Sequence, residues 1–184
     1  MLSTSSIVMI RNACGSGWKR TNHPHQKESS RVNNNVTRML DAQKIAYVKY
    51  EFSPTLISAP AVAKEVGLPP AQVYKTLVLQ SEAGQVCLVM LPADKELELK
   101  ALARAIAVKR VRMAAQTEAE RLTGLKVGGI SPLALLRQSL PTYIDQGVLA
   151  WDRVCVSGGA RGLNLLIAVD DLLRLTKAHP VALG

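Results

Sequence analysis

The first thirty-odd residues carry no hydrophobic period. Through GSGWKRTNHPHQKESSR the apolar residues neither alternate nor recur at helical spacing, and Gly, Pro and Asn interrupt the run. Near Asn33 the pattern changes. NNNVTRMLDAQKI sets Val36, Met39 and Leu40 at i, i+3 and i+4 behind an Asn cap, which predicts a short amphipathic helix. AYVKYEF alternates and is rich in β-formers, so it predicts a strand. SAPAVAKEVG predicts a helix capped by Ser58, with Pro60 in the first turn and Gly67 at the stop. LPPAQ breaks the chain. VYKTLVLQ and QVCLVMLP, separated by SEAG, then predict a hairpin.

LELKALARAIA places Leu99, Leu102, Ala103 and Ile106 on one helical face. KRVRMA reads as a strand, and AQTEAERLTG as a short helix ended by Gly124. LKVGGISPL is a glycine-punctuated loop or strand end. TYID, RVCVSGG and LNLLIAV read as short strands, the last two joined by GARG, before a closing helix VDDLLRLTKA capped by Asp170. Several connections are too short for parallel crossovers. The prediction is a mixed α/β or α+β fold on a mixed sheet. Residues 1–32 form a basic, flexible extension and residues 33–184 one domain.

Composition changes this picture little. Of 184 residues, 48% are hydrophobic and 20% charged, the balance of a globular protein, but only 4% are aromatic. A core built on Leu, Val, Ile and Ala follows, and base stacking on an aromatic row is disfavoured. The net charge of +9 is uneven: residues 1–38 carry six basic groups against one acid, Glu28. The positive excess suits a polyanion such as RNA, or a merely basic solvated surface. Cys14, Cys87 and Cys155 form no CxxC pair, and the latter two sit in apolar runs. A reducing, cytoplasmic setting without disulfides is expected. No stretch approaches the roughly 18–20 apolar residues of a membrane span, and residues 1–10 lack the basic start of a secretory signal.

Candidate chemistry is narrowed by what is missing. The histidines are His23, His25 and His179, so residues 26–178 contain none. A Ser-His-Asp or Cys-His arrangement and a histidine-based zinc site are therefore disfavoured, and no metal or cofactor is expected. Glu96/Glu98 and Glu118/Glu120 stand where acids complement helix starts. Three features remain. Lys75 stands among β-formers, either at a strand edge or as a cation holding a phosphate or oxyanion. Gly128-Gly129 makes a turn or exposes backbone N–H groups to a ligand. Ser157-Gly158-Gly159 followed by Ala160-Arg161-Gly162 is a tight hairpin or a second binding loop.

In order, VYKTL at 73–77, VGGISPL at 127–133, LPTYID at 140–145 and SGGARGLNL at 157–165 resemble the YbaK family of tRNA deacylases and synthetase editing insertions. EFSP, GLPPAQ and LPADKELELKALA fit the same order, and the resemblance covers about residues 34–178. It implies a compact editing domain, with a mixed sheet curled toward a barrel, that hydrolyses the ester of a mischarged tRNA. The expected substrate is Cys-tRNA(Pro) or Ala-tRNA(Pro), bound by its acceptor end, with prolyl-tRNA synthetase as a candidate partner. The implied catalytic positions are Lys75, Gly128 and Gly129. The implied substrate-binding positions are Tyr50, Thr76, Ile130, Ser131, Ser157, Gly158 and Asn164. Ala160 stands where the family often has lysine, Asn164 where it has an acid, and Ala134 where it has glycine. Ala160 removes a cation that would meet RNA at this loop, and Asn164 puts the identity of the edited amino acid in question. Ala160 and Asn164 also favour the rival reading, a binding module for tRNA or a synthetase that has lost catalysis.

Overall fold

The structure is a computed structural model that describes residues 6–9 and 34–183. The expected extension lies outside the described residues except for β1 (Ser6–Met9), which pairs antiparallel with β2 (Tyr47–Glu51). The other strands are β3 (Val73–Ser81), β4 (Val86–Pro92), β5 (Val111–Met113), β6 (Thr142–Asp145), β7 (Arg153–Ala160), β8 (Leu163–Ala168) and β9 (His179–Val181). They form one sheet in the order β1-β2-β8-β7-β3-β4-β6-β9, with β5 also paired to β3. The β3–β4 and β7–β8 hairpins are antiparallel as the turn residues predict, whereas β3–β7, β4–β6 and β6–β9 are parallel. The sheet is mixed.

Among the described residues five α-helices cover it: α1 (Asn35–Ala42), α2 (Ala59–Val66), α3 (Leu99–Ala105), α4 (Gln116–Thr123) and α5 (Val169–Thr176). The cap of α1 is Asn34, whose side chain accepts from the Thr37 N–H at 3.0 Å. Helices α2 and α4 end at Gly67 and Gly124, both left-handed, where a Cβ would be strained. Of two further expected caps, one holds its position and one does not. Ser58 holds the cap position of α2 without a side-chain bond, and Asp170 lies inside the first turn of α5, behind Ala168. Asp170 and Asp171 there face the positive end of the helix dipole.

Both faces of β2 are covered, which is why four of its five residues are buried although the sequence alternates. Tyr47 packs with Leu40, Leu165 and Leu172 on one side, and Tyr50 with Val62, Val66 and Cys155 on the other. A further cluster of Val78, Leu88, Ala119, Ile130 and Leu135 pins α4 and the 125–131 loop above β3. Its burial fixes where the glycine-rich loop stands.

Candidate active site

β3 is the floor of the site. Its first residues pair with β7 (Tyr74 with Val156) and its last with β5 (Leu79 with Met113). Above it lies a cavity of about 330 Å³, near the lower end of the roughly 300–1,000 Å³ usual for ligand pockets. One wall is Ile57, Ala59 and Val62, another is Met113, Gln116 and Ala119, and Val127, Gly128 and Ile130 close a third.

Six of the ten residues singled out from the sequence line this cavity: Lys75, Thr76, Gly128, Ile130, Ser157 and Asn164. Strand register brings them together. Asn164 of β8 pairs with Ser157 of β7 on one side and with Tyr50 of β2 on the other. Tyr50 is thus a neighbour of the site, but its ring is buried with Val62 and Cys155. Burial raises its hydroxyl pKa, and the nearby Cys155 raises it further.

Three expected positions are placed elsewhere. Gly129 faces the β7–β8 hairpin, and its N–H closes a turn on the Lys126 carbonyl at 2.8 Å, so it is spent as a donor. A Cβ there would lie 2.8 Å from the Ala160 carbonyl carbon and the Arg161 nitrogen, so the glycine permits backbone-to-backbone contact between the two glycine loops. Ser131 is fully buried and does not line the cavity. Gly158 packs under Leu163 and accepts from the Asn34 side chain at 2.7 Å, tying the hairpin to the cap of α1.

Gly128 is exposed and leaves its N–H available as a candidate donor. Its φ is +90°, and its N–H makes no hydrogen bond among the described residues. Lys75 donates to the Ala93 carbonyl at 3.3 Å and to the Lys95 carbonyl at 2.5 Å. An ammonium has three N–H groups, so one remains for a ligand. Burial lowers the Lys75 pKa, opposed by Glu96 and Asp94. Thr76 Oγ1 is buried and unpartnered among the described residues, and Asn164 donates to Cys155 Sγ at 3.6 Å. Burial pushes the Cys155 thiol up to about 12, against the Asn164 hydrogen bond that lowers it. A thiol that stays protonated is a poor nucleophile. Of the residues lining the cavity only Tyr74 and Lys75 are ordinarily ionisable, and none is a carboxylate or imidazole.

Sequence reasoning gave Glu120 a helix-dipole role and missed what it holds. Its Oε1 accepts the Val127 N–H at 3.1 Å and its Oε2 pairs with Lys126 at 2.7 Å. Arg161, in the sequence simply part of the second glycine-rich loop, donates Nε–H to the Val127 carbonyl at 2.7 Å. The two side chains therefore hold both polar ends of the residue entering Gly128. The signal available was a carboxylate one turn before Gly124, at the helix end that feeds the glycine loop.

The sequence matches the aminoacyl-tRNA editing domain family over residues 54–175, which is the stretch that builds this cavity. The chain belongs to that family. Among the relatives of this editing domain is an Enterococcus faecalis protein, EbsC, provisionally named a Cys-tRNA(Pro)/Cys-tRNA(Cys) deacylase. It is 33% identical over 155 residues, covering 83% of this chain and 94% of the relative. Two crystal structures share the fold. The hypothetical protein APE2540 has a TM-score of 0.71 at 26% identity, covering 80% of this chain and 99% of its own. A protein provisionally described as a trans-editing enzyme for prolyl tRNA synthetase has a TM-score of 0.69 at 25% identity, covering 84% of this chain and 99% of its own. The editing domain's mixed α/β architecture agrees with both.

Proposed function

We propose that this chain is an aminoacyl-tRNA deacylase that clears a small wrong amino acid, cysteine or alanine, from tRNA(Pro). The observation that carries the reading is the meeting of Lys75, Gly128 and Ser157 in one cavity without an imidazole or carboxylate. An ester to a ribose hydroxyl is already activated, so orientation and one oxyanion donor go far. Lys75 holds the terminal phosphate or ribose with its remaining N–H, and the Gly128 N–H receives the developing oxyanion. Water adds to the ester carbon, the bond from that carbon to the ribose oxygen breaks, and the ribose oxygen takes up a proton. The amino acid leaves as its carboxylate, and the second proton of the water passes to solvent. Gly129 acts by close packing.

Cysteine and alanine are favoured because the cavity is small and largely aliphatic, and the name of the Enterococcus relative supports cysteine. One methylene is worth only about 1–3 kcal/mol in such a pocket, so neighbouring small amino acids would be imperfectly separated. Docking on prolyl-tRNA synthetase is proposed on the description of the second crystal structure. The test is deacylation of Cys-, Ala-, Ser- and Pro-tRNA(Pro) by the purified full chain. Faster loss of Cys or Ala than of Pro supports the reading, and hydrolysis of none above the spontaneous rate overturns it.

A second reading, tRNA binding without hydrolysis, is favoured by one observation. Lys75 commits two N–H groups to the Ala93 and Lys95 carbonyls, as a purely structural lysine would. Tight tRNA binding with no ester loss would select it.

A further inference from the structure

The positive charge of the folded domain is concentrated beside the cavity mouth. Between residues 34 and 184 there are 18 basic and 13 acidic residues, and the segment 104–126 alone holds six basic and two acidic ones. Outside that segment the domain carries 12 basic and 11 acidic residues, so most of its positive excess lies within it. The segment comprises the end of α3, then β5, α4 and the turn into the glycine loop. It supplies Met113, Gln116 and Ala119 to the cavity wall.

Its two acids are neutralised within it. Glu118 takes both Arg112 guanidinium nitrogens at 2.7 Å, and Glu120 takes Lys126 at 2.7 Å. Arg104, Lys109 and Arg110 are exposed and form no ion pair among the described residues. Among the described residues β5 pairs with β3 alone, so there this wall ends in an open strand edge. From Arg110 to Met113 the chain advances about 10 Å at strand rise. Met113 is 50% exposed, and with Ile57 it is one of two large exposed apolar side chains at the cavity.

We infer that the β5–α4 edge is the docking surface for the RNA phosphate backbone, with Lys109 and Arg110 taking phosphates of the acceptor arm just outside the cavity. The inference rests on the deacylase reading for its orientation: the terminal adenosine enters between Ile57 and Met113, and the strand leading to it runs out along β5. These cations bind and steer, and they do not touch the reacting ester.

The test uses the full chain and the double variant Lys109→Gln/Arg110→Gln, with Lys44→Gln/Arg137→Gln as a control of equal charge loss elsewhere. Binding of uncharged tRNA(Pro) is measured from low to physiological salt. Loss of two phosphate contacts lowers the slope of log affinity against log salt by about 1.4–1.8 and weakens binding at least about fivefold. The control variant moves neither. In deacylation, the double variant loses kcat/KM on Cys-tRNA(Pro) but not on cysteinyl-adenosine, which has no phosphate. Equal tRNA binding by the double variant and the wild type, or equal loss in both double variants, overturns the inference. If the wild type cleaves neither ester, the deacylase reading fails, while the binding measurement still decides the surface.

Discussion

Arg161 hydrogen-bonds through Nε–H to the carbonyl of Val127 at 2.7 Å, so the turn of one glycine motif holds the residue that leads into the other. Glu120 secures the N–H of the same residue. Arg161→Met should therefore lower single-turnover deacylation by about 10–100-fold, since a shift of about 1 Å in a positioned group costs that much. Arg161 is partly exposed and contributes little to folding, so the thermal melt should barely move. Glu120→Gln keeps an acceptor for Val127 and should retain more activity than Glu120→Ala. Equal rates in those two variants would refute the bracket.

Lys75→Ala should cost about 2.7–4 kcal/mol of barrier, or about 100–1,000-fold in rate, while circular dichroism stays native. Lys75→Arg keeps the charge but enlarges the head between the Ala93 and Lys95 carbonyls, and should recover only part of the loss. Near-normal hydrolysis by the alanine variant would remove the lysine from the mechanism.

The pH profile follows from the same side chain. Burial lowers the Lys75 pKa, and Glu96 and Asp94 restore only part of it. The charged form is the active one, so activity is full below the folded pKa and falls as pH rises through it. The decline should come at lower pH than for an ordinary lysine. After subtraction of spontaneous ester loss, a Glu96→Gln/Asp94→Asn variant should shift it lower still. An unmoved profile would contradict the electrostatic account.

Gly129→Ala places a Cβ 2.8 Å from main-chain atoms of Ala160 and Arg161, which have no rotamer to escape into. Overpacking of this kind costs about 1–3 kcal/mol, or about 2–12 °C of Tm for a domain of this size. Gly128→Ala meets the movable Ile57 side chain at 2.9 Å but is strained by its φ of +90°. It should lose activity more than the Gly129 variant does for each degree of melting lost. Scanning calorimetry beside the deacylation assay separates the two.

Much of this was legible in the sequence because local signals and tertiary demands agree. Asn34 caps α1, Gly67 and Gly124 stop their helices, and SEAG and GARG turn hairpins. β9 was not legible, since three residues carry no period and its pairing to β6 is purely tertiary. In the site, motif order led to Lys75, Gly128, Ser157 and Asn164. It did not distinguish a glycine that offers its N–H from one that merely fits, because both read as G. Nor did it resolve Ser131, whose burial depends on what Pro132 and Leu133 pack against.

Because Gly129 lets two loops touch through their main chains, that side of the cavity behaves as a fixed jaw. A substrate one methylene too large meets the Gly128 peptide, which that buried contact next to it holds in place, whereas the facing jaw at Ile57 is a side chain that can swing. Discrimination should thus be steep in one direction and forgiving in the other, and widening the tolerated set of amino acids calls for changes at Ile57, not at the glycines.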